Sequence, residues 1–209
     1  MLLKTLPLGP LQTNCYLVAD GQGGPAAVID PGAQPERVLA LLERQGLVLQ
    51  YILLTHYHFD HVGAVDALRE ATGAQVCIHA RDAEHLAEPP AAFRLFAPGG
   101  VEPVTADRLL ADDETLALGA LTIACLPTPG HSPGGLSFYI ASEQLIFSGD
   151  ALFAGGIGRT DLPGASHRVL AQAIRERLYT LSPETVVYPG HGPDTTIAME
   201  SAGNPFVRP

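Results

Sequence analysis

The chain has 209 residues, 46% of them hydrophobic and 16% charged, which is enough to bury one sizeable core. Its formal charge is −10, with one lysine and no basic run, and this composition argues against a nucleic-acid partner. There is no apolar run of membrane-spanning length and no secretory signal at the N-terminus, so we expect a cytoplasmic protein without a membrane partner.

The first half predicts strands that alternate with helices. A helix is predicted over 35–46, because apolar residues recur at helical spacing between Pro35 and Gly46. A second helix begins near Asp60 and stops at Gly73. The strands are predicted at 1–6, 15–20, 26–32, 51–55 and 74–80.

The segment 81–104 is the least regular part of the chain, because it combines several prolines with a glycine pair. We interpret it as a flap over a cleft. The three cysteines, Cys15, Cys77 and Cys125, are widely spaced and lie in strand-like surroundings. They are expected to be buried, reduced thiols rather than metal ligands or disulfides.

The second half again predicts strands followed by helices. A helix is predicted over 167–181 with Ser166 as its N-cap, and a short helix over 195–203 closes the chain. Because the two halves have a similar order of elements, we expect an α/β fold in which two sheets pack face to face between helices, a sandwich of four layers. The strands are predicted within 108–119, 121–130, 136–142, 144–150 and 185–192.

A cluster of metal-binding side chains follows the apolar strand YILLT. The segment THYHFDH places His56, His58, Asp60 and His61 within six residues. Such a cluster would lose hydration on burial and would be hard to satisfy by hydrogen bonds alone. A bound cation resolves this conflict, since imidazole nitrogens and carboxylate oxygens are metal ligands.

Three further polar residues follow apolar strands in the same way. His131 lies in a proline and glycine turn, Asp150 follows LIFSG, and His191 follows VVYPG. Taken singly, each would be an ordinary loop or capping residue. Rigid strands that end at one edge of a sandwich can bring such residues together, and a catalytic metal needs this preorganisation.

These motifs resemble a known family. THYHFDH matches the H-x-H-x-D-H motif of the metallo-β-lactamase superfamily, and TPGHSPG, SGDALF, GRTDLPGAS, PGHGPDTT and NPF are similar to its glyoxalase II branch. The resemblance covers essentially the whole chain. It implies a four-layer αββα sandwich forming a single domain over 1–209, without the C-terminal helical glutathione-binding domain of longer glyoxalase II proteins.

The resemblance also assigns two divalent metal ions. One would bind His56, His58 and His131, the other would bind Asp60, His61 and His191, and Asp150 would bridge them. Asp60 and Asp150 are also the expected catalytic residues. These donors admit zinc, iron or manganese and do not choose between them. Of the three metals, we expect zinc. The other histidines, His79, His85 and His167, match no motif and are expected to have structural or surface roles.

The reaction that the resemblance implies is hydrolysis of a small-molecule thioester of the S-2-hydroxyacylglutathione type, by a hydroxide that bridges the two ions. No G-x-S-x-G elbow offers a covalent nucleophile. The zinc β-lactamases of the best-known branch commonly carry cysteine where this chain has Asp150, so antibiotic hydrolysis is not expected as the main role. The alternative is a persulfide dioxygenase with a single iron on the same scaffold.

Arg159, in GIGRTDLPG, is the candidate for binding the carboxylates of glutathione. The alternative for this arginine is an ion pair with Asp161 that braces the loop. Neither the physiological thiol nor the oligomeric state follows from the sequence.

Overall fold

The computed structural model describes residues 1–91, 93 and 102–209, and these form two six-stranded sheets. The first sheet has the order β1-β2-β3-β4-β5-β6, with strands β1 Leu2–Leu8, β2 Thr13–Ala19, β3 Pro25–Ile29, β4 Val48–Leu53, β5 Gln75–His79 and β6 Arg108–Leu110. The second has the order β14-β13-β10-β9-β8-β7, with β7 Thr115–Leu118, β8 Leu121–Pro127, β9 Leu136–Ile140, β10 Leu145–Gly149, β13 Val186–Pro189 and β14 Thr195–Thr196. A separate hairpin pairs β11 Leu152–Phe153 with β12 Gly156–Ile157.

The described residues contain six α-helices. They are α1 Pro35–Gln45, α2 Phe59–Val62, α3 Val65–Thr72, α4 Ala83–Ala87, α5 His167–Ala173 and α6 Ile197–Gly203. Helix α5 begins at the N-cap Ser166, whose hydroxyl accepts a hydrogen bond from the Val169 amide, and it continues as a π-helical turn over Ile174–Leu178. None of the helices in these parts of the chain has the length and apolar character needed to span a bilayer.

The two sheets pack face to face, as the alternation of side chains along the strands shows. In β4, Tyr51 and Leu53 enter the core between the sheets, whereas Ile52 enters the core beneath α1 and α3. In β10, Phe147 belongs to the central core and Ile146 to a third core beneath α5 and α6. Successive side chains of a strand point to opposite faces, so each sheet is covered on both sides. The predicted four-layer sandwich is confirmed.

The loops that carry the histidines and aspartates leave the carboxyl ends of several strands. Strands β3, β4 and β5 run parallel to one another, so their carboxyl ends lie at the same edge of the first sheet. In the second sheet, β10 and β13 are also parallel. The main chains of the two sheets meet at this edge, where the Asn14 amide donates to the Gly190 carbonyl.

Most strand boundaries differ from the predictions by a few residues, and three differences concern the division of elements or the end of a helix. The helix expected from Asp60 to Gly73 is divided into α2 and α3, because Gly63 packs against the loop after β3; a β-carbon there would lie 2.3 Å from the Gly32 carbonyl oxygen. The stretch 108–119 divides between β6 in one sheet and β7 in the other. The α5 region ends three residues earlier than expected.

The prediction for the cysteines is confirmed, whereas the flap predicted over 81–104 stays a prediction. All three cysteines are buried and free. The proposed flap over 81–104 includes residues 92 and 94–101, which lie outside the described residues, whereas its beginning contains α4.

Candidate metal centre

The segment THYHFDH turns from β4 into α2, and this turn places its polar side chains in the interior. His58 has extended backbone angles, with φ −64° and ψ 145°, and is the residue before α2, whereas His61 lies inside the helix. His56, His58 and His61 are all buried, at 2%, 7% and 0% exposure. Three buried imidazoles in one turn need partners that the apolar core does not supply.

His56, His58 and His131 form the first cluster. The Nε2 atom of His131 lies 2.8 Å from Nδ1 of His58, and the His56 ring lies with its centroid 4.6 Å from that of His58 and 4.8 Å from that of His131. The opposite nitrogen of His131, Nδ1, lies 2.8 Å from the Arg159 carbonyl oxygen. Because that carbonyl can only accept a hydrogen bond, Nδ1 carries the proton and Nε2 is left as a free ligand atom.

Asp60, His61 and His191 form the second cluster. The Oδ2 atom of Asp60 lies 3.1 Å from Nε2 of His191 and 3.5 Å from Nε2 of His61. The same oxygen accepts a hydrogen bond from the Thr13 hydroxyl at 3.0 Å. His191 is the most accessible of these side chains, with 30% exposure. The second cluster therefore faces the solvent more than the first.

Asp150 lies between the two clusters, and its two oxygens face different ones. Oδ1 lies 3.3 Å from Nε2 of His61 and 3.8 Å from Nε2 of His191. Oδ2 lies 3.5 Å from Nε2 of His131. The structure thus brings all seven side chains named from the sequence to one place, with one carboxylate between two groups of three.

The donor geometry fits metal ions better than it fits hydrogen bonding alone. Two ligands about 2.05 Å from a tetrahedral ion lie about 3.3 Å apart, and most of the separations above are close to this value. Moreover, His56 Nε2, His61 Nε2 and Asp150 Oδ1 are buried without a hydrogen-bond partner among the described residues. Buried polar atoms without partners are rare, and one cation in each cluster would together satisfy all three.

The electrostatics of the two clusters differ. Burial lowers the pKa of His58 to about 3, with the neighbouring His131 adding to the effect, and burial lowers the pKa of His56 well below its ordinary value. Both rings are therefore neutral at neutral pH, which is the form that binds metals.

The second cluster favours positive charge. Burial alone would lower the pKa of His61, but the carboxylates of Asp150, Asp60 and Asp30 outweigh it and raise that pKa well above its ordinary value. Burial opposes ionisation of Asp60 and Asp150, yet the charge of His61 holds the pKa of both carboxyls below the usual range. The carboxylates thus create a site for a cation.

Asp30 is a site residue that the sequence analysis missed. Its Oδ2 atom lies 3.0 Å from Nδ1 of His61 and accepts from the Thr55 hydroxyl at 2.6 Å, and Oδ1 accepts from the Thr55 amide at 2.8 Å. The Thr55 hydroxyl lies 3.0 Å from Nδ1 of His56. One carboxylate therefore orients one histidine of each cluster. Its sequence signal, an aspartate directly after the apolar strand in AAVIDPG, is the same pattern that marks the other loops.

Asp82 supports the turn that carries His131. It is fully buried, its Oδ2 accepts from the Ser132 hydroxyl and its Oδ1 accepts from the Gly134 amide, both at 2.6 Å. A β-carbon at Gly134 would lie 2.8 Å from this carboxylate, so glycine permits the contact. The sequence did not indicate this role, because Asp82 lies in the irregular segment after β5.

An apolar cavity of about 780 Å³ opens over the clusters. His58, Asp60, His131, Asp150 and His191 contribute to its lining. Arg159 also lines it, but its side chain is 61% exposed and forms two hydrogen bonds with Asp161, at 2.7 and 2.8 Å. The ion pair that was the alternative for Arg159 is thus present, and its substrate role stays a prediction.

The remaining histidines lie outside both clusters. His79 accepts from the Arg81 amide and lies 3.2 Å from Asp112, and His167 is exposed at the start of α5. His85 packs on the Tyr57 ring at 4.5 Å and lines the cavity.

The sequence matches a known family profile and is similar to named bacterial proteins. A family profile described as the metallo-beta-lactamase superfamily matches residues 8–191. The probable metallo-hydrolase YqgX of Bacillus subtilis is 40% identical, with coverage of 98% of this chain and 96% of that protein. The hydroxyacylglutathione hydrolase GloC of Haemophilus influenzae is 35% identical, with coverage of 99% of this chain and 98% of that protein.

Two solved structures are similar to this chain in both sequence and fold. A crystal structure of BLEG-1 B3 metallo-beta-lactamase is 41% identical and superimposes with a TM-score of 0.90, covering 99% of both chains. A crystal structure of TTHA1623 in a di-iron-bound form is 42% identical, with a TM-score of 0.86 and coverage of 98% of this chain and all of that one.

Proposed function

The chain belongs to the metallo-beta-lactamase superfamily, and on that premise we propose that it is a metal-dependent hydrolase of thioesters of the S-2-hydroxyacylglutathione type. The observation that carries the proposal is the position of Asp150, whose two oxygens face two groups of three metal-ligand side chains. A site with one carboxylate between two ligand sets suits a binuclear hydrolase.

We propose that one ion binds His56, His58 and His131, that the other binds Asp60, His61 and His191, and that Asp150 contacts both. Two divalent ions held in this way would polarise a substrate carbonyl and make water a nucleophile at neutral pH. We propose zinc as the bound metal. Iron and manganese are admitted as well, and the di-iron form of TTHA1623 supports keeping iron in the tests.

The chain's own groups fit thioester chemistry. Asp60 and Asp150 are anionic at neutral pH, because their pKa values are held low, and they are proposed to accept hydrogen bonds from the attacking water. His56 and His58 are neutral and serve as ligands rather than acids. A thiol leaving group has a pKa of about 8.5, so it departs without a strong general acid.

The second candidate function is the persulfide dioxygenase with a single iron. It would need one metal per chain and consume oxygen. The complete second cluster of Asp60, His61 and His191 favours the binuclear hydrolase over this alternative. Antibiotic hydrolysis is included in the test because BLEG-1 is described as a B3 metallo-beta-lactamase.

The test combines metal analysis with a substrate panel. Metal content is measured on one preparation, and rates are measured with S-lactoylglutathione, glutathione persulfide with oxygen uptake, and a cephalosporin. We expect two ions per chain and hydrolysis of the thioester as the fastest reaction. One iron per chain with oxygen uptake would replace the proposal with the dioxygenase, and a faster cephalosporin reaction would replace it with a β-lactamase.

Variants test the site assignment. Asp150→Ala and His58→Ala should each reduce thioester hydrolysis to below about 1%, because loss of a ligand should cost more than the 10- to 100-fold typical of an outer-shell partner. His167→Ala removes an exposed histidine that belongs to neither cluster and should leave the rate unchanged. Full activity in either ligand variant would overturn the assignment.

A further inference from the structure

One wall of the cavity above the metal clusters is aromatic. The Phe93 ring lies 5.8 Å from Tyr57, 5.6 Å from Phe59 and 5.8 Å from His58, measured between ring centroids. Tyr57 in turn contacts His85. These rings line the cavity directly beside His58, a proposed ligand of the first ion. We call Tyr57, Phe59 and Phe93 the aromatic wall.

The other sides of the cavity are also largely apolar. Leu162 and Pro163 line it together with the loop that carries Arg159, and Leu11, which is 54% exposed, lines it together with His191. The volume of about 780 Å³ lies within the range of pockets that enclose a small molecule.

Cations are scarce among the described residues that line the cavity. Apart from histidines, Arg159 is the only one, and both its Nε and Nη2 atoms already donate to Asp161. Glutathione carries two carboxylates and one ammonium group, and moving charged groups onto an apolar surface is costly without paired partners. By contrast, binding of an apolar group against the aromatic wall is favourable, because it removes apolar surface from water.

The substrate must place its carbonyl at the metal clusters, so the groups on either side of that carbonyl extend along the cavity walls. We propose that the aromatic wall binds an apolar group of the thioester, and that the preferred substrates carry an aryl or alkyl group next to the scissile bond. This inference rests on the proposed thioester hydrolysis and narrows its substrate class. The apolar group can belong to the acyl side or to the thiol side.

Two substrate series distinguish these sources. In the acyl series the thiol is glutathione and the acyl group is lactoyl, 2-hydroxyhexanoyl or mandeloyl. In the thiol series the acyl group is lactoyl and the thiol is glutathione or phenylmethanethiol. We expect kcat/KM to rise at least about tenfold along one of the series, because each buried methylene contributes up to about fourfold. No rise in either series would overturn the inference, whereas hydrolysis of S-lactoylglutathione would still support the proposed function.

Substitution of Phe93 tests whether the aromatic wall causes the preference for apolar substrates. Phe93→Ala should reduce the ratio of the rates for the best apolar substrate and for S-lactoylglutathione at least about fivefold, since the ring supplies apolar contact area. Phe206→Ala removes a ring that is 57% exposed and does not line the cavity, and it should leave that ratio unchanged. An unchanged ratio in the Phe93 variant would overturn the role of the wall.

Product binding tests the wall without turnover. Calorimetry on the metal-loaded protein compares mandelate with lactate, and phenylmethanethiol with glutathione. We expect the apolar member of at least one pair to bind at least about tenfold more tightly. If no thioester is hydrolysed, the proposed function and the thioester substrate class both fail, and this comparison still decides whether the wall binds apolar groups. Equal or weaker binding of both apolar members would overturn the role of the wall.

Discussion

Replacement of Asp30 by asparagine tests how the protein prepares its histidines for metal. Nδ1–H of His61 donates to Oδ2 of Asp30, so when the ring gives up its other proton on metal binding, it is Nε2 that becomes free to bind the ion. The Thr55 hydroxyl also donates to Oδ2, and it can therefore accept from Nδ1–H of His56. A single carboxylate thus sets the tautomer of one histidine in each cluster.

The asparagine side chain cannot reproduce this arrangement. In the native protein the Thr55 amide donates to Oδ1 of Asp30 at 2.8 Å, and in the variant the asparagine oxygen must take this position to accept the same hydrogen bond. The NH₂ group of the asparagine then faces His61 and the Thr55 hydroxyl. A donor against Nδ1 of His61 moves the proton of that ring to Nε2, the nitrogen that would bind the ion. The backbone remains compatible, because residue 30 has φ +51° and asparagine tolerates this left-handed conformation.

We expect the variant to bind both ions more weakly, by about 10- to 100-fold each, as is typical when the partner of a metal-bound histidine is lost. This corresponds to about 1.4–2.8 kcal/mol per ion. The assay titrates metal-free protein with zinc against a chromophoric chelator and yields two dissociation constants. Asp112→Asn, at an aspartate that is 51% exposed and lies beside His79, is the matched control. Native affinity at both sites in the Asp30 variant would refute the reasoning.

Three other predictions concern packing and reactivity. Gly190→Ala should lose metal while keeping its circular dichroism, because the new β-carbon would lie 2.2 Å from Oδ1 of Asp150; two retained ions would contradict this. Phe138→Ala should reduce the free energy of unfolding in denaturant titrations by about 3–5 kcal/mol, because the ring is fully buried, and a loss below about 1 kcal/mol would count against the assigned core. Burial raises the pKa of Cys77 and Cys125 to about 12, and it also raises the pKa of Cys15. We therefore expect that none of the three thiols reacts with a disulfide reagent at pH 8 until denaturant unfolds the protein. Rapid labelling of the native protein would contradict this expectation.

The layered fold could be predicted because its local signals agree. The apolar runs YILLT and LIFSG, which contribute to β4 and β10, and the helical spacing in α1 are properties of short segments that the sequence displays directly. The division of 108–119 between two sheets could not be predicted, because strands of three and four residues carry too little pattern to show which sheet they join. Likewise, the break at Gly63 depends on its contact with Gly32, which is distant in sequence.

The site shows the same contrast. Residues such as His58 and Asp60 carry a dense local motif, so the sequence could name them before their geometry was known. Asp30 was missed because a carboxylate that orients a ligand looks, in sequence, like any aspartate that begins a turn. The aromatic wall was missed because Phe93 meets Tyr57 only through tertiary packing. Side chains that act through other side chains need the structure to reveal them.

The most direct test of the account is a crystal structure of the metal-loaded protein, with anomalous diffraction recorded at the zinc and iron edges. We predict two ions per chain, about 3.5–4 Å apart, one bound by His56, His58 and His131 and the other by Asp60, His61 and His191. Asp150 should contact both. A single ion, or two ions bound elsewhere with these seven side chains turned away from them, would contradict the account.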